Sequence, residues 1–197
     1  MQGHVLAFEG LDQSGKQTQA ERLAATLGGE GRRVEFLSFP EYSTAIGTEI
    51  GSALQGQREY EPDTLQLLYI ANRYEFRPRI VEWVAAGAIV ICDRYLASSI
   101  AYGEAQGLDP AWLRDVQRQL PPPSLTLVLD IPPEVSLQRK LAARDKFERD
   151  LPLLSRVRGS YQRQAQARDW VLIDGQQDKD AVSTAVITAV RSRLARP

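Results

Sequence analysis

Three observations predict an α/β fold in which helices cover both faces of a five-stranded parallel sheet. Short apolar runs alternate along the chain with longer amphipathic stretches. Most of the runs are nearly continuous in apolar residues, as expected for strands that are buried on both faces. A glycine-rich loop follows the first run, at the strand end where such folds bind ligands. The 197 residues match the length of one ordinary domain, so we expect a single domain over residues 1–197.

The apolar runs and the periodic stretches between them define the expected elements. The predicted strands are Val5–Glu9, Val34–Phe39, Ala88–Asp93, Leu125–Ile131 and Trp170–Asp174. The predicted helices are Gly15–Leu27, Asp63–Ala86, Ala111–Leu120, Glu134–Ala143, Pro152–Ala167 and Asp180–Leu194. Glycines at 28–29 and 87 are predicted to end helices, because glycine adopts the left-handed conformation of a helix C-terminus. Strands that alternate with helices in this way are parallel, and their carboxyl ends meet at one ligand-binding edge.

Composition and charge argue against several classes of protein. The net charge of −1 does not suit a general nucleic-acid binder. Cys92 is the only cysteine and His4 the only histidine, which excludes a disulfide framework, a cysteine-based zinc site and Ser-His-Asp catalysis. No apolar run reaches the roughly 18 residues that cross a bilayer, and the N-terminus lacks a signal-peptide pattern. We therefore expect a cytoplasmic protein with neither nucleic acid nor membrane as a partner.

The glycine-rich loop GLDQSGKQT, residues 10–18, has the spacing of a phosphate-binding loop. Gly10, Gly15 and Lys16 match the pattern G-x-x-x-x-G-K, and a predicted strand and helix flank them. In such a loop, backbone N–H groups and the helix N-terminus face the phosphates, and the lysine adds a mobile positive charge. The loop by itself predicts nucleotide binding.

The residue after the loop lysine departs from the usual pattern. A Ser or Thr hydroxyl directly after the lysine ordinarily holds Mg²⁺, but here that position is Gln17 and the hydroxyl follows at Thr18. Three interpretations are open. Carboxylates elsewhere hold the metal, Thr18 replaces the missing hydroxyl, or the loop binds phosphate without catalysing transfer efficiently.

The third predicted strand ends in CDRYLASSIAYGEA, residues 92–105. Asp93 and Arg94 therefore lie at the carboxyl edge of the sheet, beside the phosphate loop. A carboxylate suits Mg²⁺ or a water bound to it, and a guanidinium suits two phosphate oxygens. The chain contains no N-K-x-D motif, and its one D-x-x-G match, residues 12–15, lies inside the phosphate loop itself rather than at a separate switch, which favours a kinase over a switch GTPase.

Five motifs in register resemble the thymidylate kinase family. They are FEGLDQSGKQTQ (8–19), FPEYST (39–44), YIANRYE (69–75), DRYLASS (93–99) and RDKFERD (144–150). The resemblance covers nearly the whole chain and implies a P-loop NTPase fold with a short mobile lid at about residues 139–150. It also implies transfer of the γ-phosphate of ATP to dTMP, giving dTDP for dTTP biosynthesis, with Mg²⁺ as cofactor and usually by a cytoplasmic homodimer.

The resemblance assigns roles in the acceptor site. Asp12 would accept a hydrogen bond from the sugar 3′-hydroxyl. Tyr69 would stack on the thymine ring, and Arg73, on the same helix face, would donate to its 4-oxo group. Arg94 would span the donor and acceptor phosphates, and Asp93 would lie near the metal. The remaining acceptor-site residues would be Phe39, Pro40, Tyr42, Ser98, Ser99 and Tyr102.

The resemblance also assigns the ATP site and the catalytic charges. Some family members carry an arginine in the phosphate loop where this chain has Gln13, so the lid would supply the positive charges. Glu148 would be a second metal or ribose contact. The catalytic residues would be Lys16, Asp93, Arg94, Arg144 and Arg149. The ATP-binding residues would be Gly10, Leu11, Asp12, Gln13, Ser14, Gly15, Lys16, Gln17, Thr18 and Arg139.

Two competing functions stay open at this point. One is another deoxynucleotide or nucleoside kinase of similar fold, although a nucleoside kinase would need a general base to activate a hydroxyl. The other is a non-catalytic nucleotide-binding protein. It is motivated by Gln17, by Lys146 in the lid, and by Tyr42, where many relatives have an arginine.

Overall fold

The computed structural model describes residues 2–139, 150–168 and 170–195. Its strands form one parallel sheet of five strands in the order β2-β3-β1-β4-β5. The predicted α/β fold class is confirmed, as is each predicted strand, with bounds that differ by a single residue. The strands are β1 (His4–Glu9), β2 (Val34–Ser38), β3 (Ile89–Asp93), β4 (Leu125–Asp130) and β5 (Val171–Asp174).

The described residues also form eight helices. They are α1 (Lys16–Gly29), α2 (Ala45–Leu54), α3 (Pro62–Ala85), α4 (Leu96–Ala105), α5 (Pro110–Val116), α6 (Pro133–Arg139), α7 (Leu151–Arg168) and α8 (Lys179–Leu194). Six of them lie where helices were predicted, although α5 ends before Leu120 and α6 is described only as far as Arg139. Within the described ranges, no helix combines the length and the apolar character needed to cross a bilayer.

Helices α2 and α4 were not predicted, for different reasons. Helix α2 contains two glycines, which have a low helix propensity. It begins after Thr44, whose side-chain oxygen accepts a hydrogen bond from the backbone N–H of Gly47 at 2.9 Å. Helix α4 is buried on most of its surface and so shows no contrast between an apolar and a polar face.

Of the two helix ends predicted at glycines, the one at Gly87 is correct and the one at residues 28–29 is wrong. Gly28 and Gly29 lie within the last turn of α1 rather than after it. The left-handed residue beyond that helix is Gly31, with φ 77°. Gly87, with φ 81°, follows α3 as predicted. A glycine can take this conformation without the steric cost of a Cβ atom, which explains why it occurs at these ends.

The core lies on both faces of the central strand β1. Leu6 and Phe8 pack on the face covered by α1 and α8, whereas Val5 and Ala7 pack on the opposite face, toward α3. All four side chains are buried, which explains why this strand is continuously apolar in sequence. Cys92 belongs to the α3 side, and burial raises the pKa of its thiol, so it packs as a small apolar residue.

Helix α2 packs directly against the segment that follows β2. A Cβ atom added at Gly47 would lie 1.8 Å from the carbonyl oxygen of Glu41, so only glycine permits this approach. A Cβ atom at Gly51, one turn later, would lie 3.5 Å from the ring of Tyr42, an ordinary contact distance. The close approach at Gly47 holds the backbone of residues 39–42 at the edge of the sheet.

These two glycines should respond oppositely to the same substitution. Gly47→Ala should lower the free energy of unfolding by about 1–3 kcal/mol, because the helix must move away from the Glu41 carbonyl. Gly51→Ala should raise it by about 0.5–1 kcal/mol, because alanine favours the helix and nothing obstructs its methyl group. Urea denaturation of both variants measures this, and equal effects would contradict the described packing of α2.

Candidate active site

The candidate site lies where the carboxyl ends of β1, β2 and β3 meet. Asp93 pairs in register with Phe8 on one side and with Ser38 on the other, so the segments after these strands converge. One cavity there is lined by every residue predicted for the acceptor site. They are Asp12, Phe39, Pro40, Tyr42, Tyr69, Arg73, Arg94, Ser98, Ser99 and Tyr102. Leu54 and Gln66 line the same cavity and were not predicted.

The phosphate loop has the backbone shape that its sequence indicates. Gly10 has φ 134°, and a Cβ atom there would lie 2.4 Å from the carbonyl oxygen of Leu129 on the neighbouring strand. Gly15 has φ 95° and directly precedes α1, whose N-terminus therefore opens onto the loop. Both glycines occupy backbone conformations that other residues rarely adopt.

Helix α6 fixes this loop from its outer side. The hydroxyl of Ser136 donates to the carbonyl oxygen of Asp12 at 2.7 Å. Arg139, predicted to contact ATP, donates to the carbonyl oxygens of Gln13 at 3.1 Å and of Gly175 at 2.9 Å. The bonds to Asp12 and Gln13 engage carbonyl oxygens of the loop and not the N–H groups that an anion would bind.

Lys16 is buried beneath the loop. Its Nζ donates to the carbonyl oxygen of Leu11 at 2.8 Å, and its side chain is 6% exposed. Burial and the nearby charge of Arg94 lower the pKa of Lys16 to about 8, although Asp12 and Asp93 act in the opposite direction. A bound phosphate would favour the protonated amine, since an opposite charge nearby raises the pKa of an amine.

Gln17 and Asp93 differ sharply in their surroundings. The amide of Gln17 is exposed on the first turn of α1 and donates to Glu21 Oε1 at 2.9 Å. Asp93 Oδ1, in contrast, is buried and has no hydrogen-bond partner in the part of the chain that the structure describes. A buried carboxylate oxygen without a donor suits a metal ion or a metal-bound water.

The described residues contain no cluster of three or more His, Cys, Asp or Glu side chains that could enclose a metal ion. Such a cluster is not needed for Mg²⁺, which proteins commonly bind through one or two carboxylates together with substrate phosphates and waters. Asp93 therefore fits the expected ion as a single protein ligand.

Arg94 lies at the centre of the polar contacts in the site. It has φ 63°, a left-handed conformation that is uncommon for a residue other than glycine. Its guanidinium forms an ion pair with Asp12 at 2.6 Å and donates to Ser98 Oγ at 3.2 Å. The same group lies 5.4 Å from the ring centroid of Tyr102. These contacts aim the guanidinium into the cavity beside the phosphate loop.

The Asp12 carboxylate is held ionised by its neighbours. Burial alone would raise its pKa, but the positive charges of Arg94 and Lys16 and the hydrogen bonds from Arg94 and Tyr102 outweigh it. The pKa of Asp12 is consequently lowered to about 2. Tyr102 donates to Asp12 Oδ2 at 3.3 Å, and Arg94 donates to Oδ1.

Glu9, at the end of β1, supports the site and was not predicted to do so. Its side chain is fully buried, and Oε1 accepts hydrogen bonds from the backbone N–H groups of Tyr95 at 2.9 Å and Ala97 at 3.2 Å. Its Oε2 accepts from Ser98 Oγ at 2.6 Å and from Tyr161 OH at 3.2 Å. A carboxylate that ends an otherwise apolar strand directly before the loop was the available signal.

Helix α3 supplies Tyr69 and Arg73 to the cavity. The Arg73 guanidinium is 2% exposed, donates to Ser99 Oγ at 2.7 Å and lies 5.9 Å from the ring centroid of Phe39. Its Nε is buried without a hydrogen-bond partner among the described residues. Burial lowers the pKa of Arg73, which the negative charge of Glu9 partly offsets.

Asn72, next to Arg73 on α3, holds the segment after β2 and was not singled out from sequence. Its Oδ1 accepts from the backbone N–H of Glu41 at 2.8 Å, and its Nδ2 donates to the carbonyl oxygen of Glu41 at 3.2 Å. The same amide donates to Thr44 Oγ1 at 3.0 Å.

Three predicted site residues lie outside the described residues. They are the predicted catalytic Arg144 and Arg149 and the predicted metal contact Glu148.

Comparisons with known proteins agree with this geometry. A family model described as Thymidylate kinase matches residues 8–186. A thymidylate kinase of Schizosaccharomyces pombe is 30% identical over 193 residues, covering 95% of this chain and 91% of that relative. A thymidylate kinase of Thermomicrobium roseum is 36% identical over 203 residues, covering 97% and 96%. The solved structure of a thymidylate kinase from Candida albicans matches with a TM-score of 0.83 and 27% identity, covering 97% of this chain and 92% of that one.

The ion pair of Asp12 should make the stability of the protein depend on acid pH. The lowered pKa means that its stabilising effect is complete above pH ~4 and is lost as the pH falls toward ~2. Between pH 5 and pH 3, the free energy of unfolding of the wild type should fall by about 1 kcal/mol more than that of Asp12→Asn. Urea denaturation at the two pH values measures the difference, and parallel losses would contradict the described pair.

Proposed function

The chain belongs to the thymidylate kinase family, and on that premise we propose that this cavity binds dTMP and that the adjoining loop binds ATP. The reaction is transfer of the γ-phosphate of ATP to dTMP, which gives dTDP and ADP. One observation carries the assignment of the site: all the acceptor-site residues that the family pattern implies line a single cavity beside the phosphate loop. We further propose a cytoplasmic homodimer with a lid at about residues 139–150.

The charges around the loop suit phosphoryl transfer. The acceptor phosphate is already anionic, so the enzyme needs no general base and acts by positioning the two nucleotides and neutralising charge. Lys16 lies beneath the loop as a donor to the ATP phosphates. Arg94, whose contact with Asp12 uses only part of its five N–H donors, can bind oxygens of both transferring and accepting phosphates. Arg144 and Arg149 would add positive charge from the lid.

The sugar and the base would occupy the far side of the cavity. The Asp12 carboxylate has lone pairs beyond those used by Arg94 and Tyr102, and one of them can accept a hydrogen bond from the sugar 3′-hydroxyl. The thymine ring would stack on Tyr69 while Arg73 donates to its 4-oxo group. Phe39 and Pro40 would form the apolar wall that contacts the 5-methyl group.

Asp93 would hold the magnesium ion, and Glu148 is proposed as a further contact. The support is the buried Oδ1 of Asp93, which lacks a donor among the described residues, together with the outward orientation of Gln17. When bound, Mg²⁺ neutralises charge on the β- and γ-phosphates. This arrangement favours carboxylate binding over a hydroxyl after the loop lysine, and so accounts for a glutamine at that position.

The magnesium assignment predicts unequal effects of two substitutions. Asp93→Asn should raise the Mg²⁺ concentration for half-maximal activity by about tenfold or more, because it removes the anionic ligand. Gln17→Ser should change that concentration by about threefold or less, because the Gln17 amide faces Glu21. Magnesium titrations of both variants at saturating nucleotides measure this. A larger effect at Gln17 would show that the position after Lys16 is the metal site.

The proposed function itself is tested by the choice of acceptor. In a coupled ADP-release assay, kcat/KM should be highest for dTMP and lower for dUMP by about 10- to 200-fold, since only a methyl contact is lost. It should be lowest for dCMP, because the donors of Arg73 meet the 4-amino group of cytosine. Arg73→Ala should reduce kcat/KM for dTMP by about 10- to 100-fold, and kcat/KM for dCMP should change least of the three. A purine nucleotide or dCMP as the best acceptor would refute the assignment, and no ADP release with any acceptor would indicate a non-catalytic protein.

A further inference from the structure

Gln66 is a buried residue whose amide oxygen has no hydrogen-bond partner among the described residues. It lies on α3, is 2% exposed and lines the nucleotide cavity. Its Oε1 is buried without a partner in the described part of the chain. Leaving a buried polar group unpaired is costly, and native proteins rarely do so unless something else supplies the partner.

The position of Gln66 on the helix places it beside the proposed base readers. Tyr69 follows it by three residues and Arg73 by seven, which is the spacing of one helix face. Asn72 offers a contrast on the same helix, because both polar atoms of its amide are hydrogen-bonded to the segment after β2. On α3, the buried amide that lacks a partner for its oxygen is therefore the one that lines the cavity, among the described residues.

The cavity thus contains two unpaired buried polar atoms among the described residues that line it. One is an acceptor, Gln66 Oε1, and the other is a donor, Arg73 Nε. The edge of thymine presents the complementary pair on adjacent atoms: one N–H donor at N3 and an acceptor at the 4-oxo oxygen. The hydroxyl of Ser99, a possible alternative acceptor, already accepts a hydrogen bond from Arg73. Rotation of the Gln66 amide about its last bond lets its oxygen face the ligand.

We propose that Gln66 determines base specificity together with Arg73, by accepting a hydrogen bond from N3–H of the pyrimidine ring. The inference rests on the proposed function, because it requires dTMP in this cavity. The two side chains would recognise different atoms of the base. Arg73 requires a hydrogen-bond acceptor at position 4, and Gln66 requires a protonated N3. Cytosine offers an amino group at position 4 and a bare acceptor at N3, and so reverses both features.

The test is Gln66→Met, which keeps the length of the side chain and removes the amide. The KM for dTMP should rise about tenfold, equivalent to about 1.4 kcal/mol of binding, with kcat changed by about twofold or less. The melting temperature of the ligand-free protein should stay the same or rise, because the substitution removes an unpaired polar group. A purely structural role for Gln66 would instead lower the melting temperature.

Gln164→Met is the matched control. Gln164 on α7 is also a buried glutamine with an unpaired Oε1 among the described residues, and its Nε2 donates to Ser160 Oγ at 3.3 Å. It does not line the nucleotide cavity. The same substitution at Gln164 should leave the KM for dTMP unchanged. An increase in KM that occurs only in Gln66→Met is then due to a lost contact in the cavity and not to the loss of a buried amide in general.

A second substrate isolates the proposed hydrogen bond. The N3-methyl derivative of dTMP lacks the N3–H donor. The ratio of kcat/KM for dTMP to kcat/KM for this derivative should therefore be about tenfold larger in the wild type than in Gln66→Met. An unchanged KM and an unchanged preference in Gln66→Met would overturn the inference while leaving dTMP phosphorylation by the wild type intact. A wild type that does not phosphorylate dTMP would instead overturn the proposed function, and this inference with it.

Discussion

The buried carboxylate of Glu9 joins three elements of the fold at the point where the site is built. Its oxygens accept hydrogen bonds from two backbone N–H groups at the start of α4, from Ser98, and from Tyr161 on α7. Burying a carboxyl group away from water is costly unless hydrogen bonds replace its hydration, and these four contacts do so. They set the position of α4 relative to the central strand, and that helix carries the hydroxyls that contact the two cavity arginines.

A series of polar contacts between groups of alternating charge connects the core to the phosphate loop. Ser98 and Tyr161 contact both Glu9 and Arg94, and Arg94 in turn pairs with Asp12. Lys16 follows, buried beneath the same loop. Arg94 and Lys16 are thus both held by contacts within the protein, which is the condition under which charges stabilise a transition state without the cost of reorganising. Burial, and after it the charge of Arg94, lower the pKa of Lys16 to about 8, so a bound anion would favour its protonated form.

The features that could be predicted from sequence are those with a local pattern. The five strands were found because each is a short apolar run that can be recognised without knowledge of its partners, and the phosphate loop because its glycines and lysine lie close together in sequence. The cavity residues followed from motifs in register. The role of Glu9 could not be predicted, since its partner Tyr161 lies 152 residues away. Likewise α4 lacks periodicity because the fold buries nearly all of it, and the Asn72 contacts depend on how the segment after β2 returns to α3.

The site divides into polar groups that are satisfied within the protein and polar groups that are not. Glu9 and Asn72 belong to the first kind, and they position backbone segments. Among the described residues, Asp93 Oδ1, Arg73 Nε and Gln66 Oε1 belong to the second. The unpaired carboxylate oxygen lies beside the phosphate loop, and the unpaired donor and acceptor belong to two residues on one face of α3 that line the same cavity. Their chemical types correspond to a cation next to phosphates at one end and to the edge of a 4-oxo pyrimidine at the other. Leaving such atoms unpaired costs folding free energy, and a ligand that supplies their partners would recover it, so under the proposed function selectivity for the base would follow from the same cost.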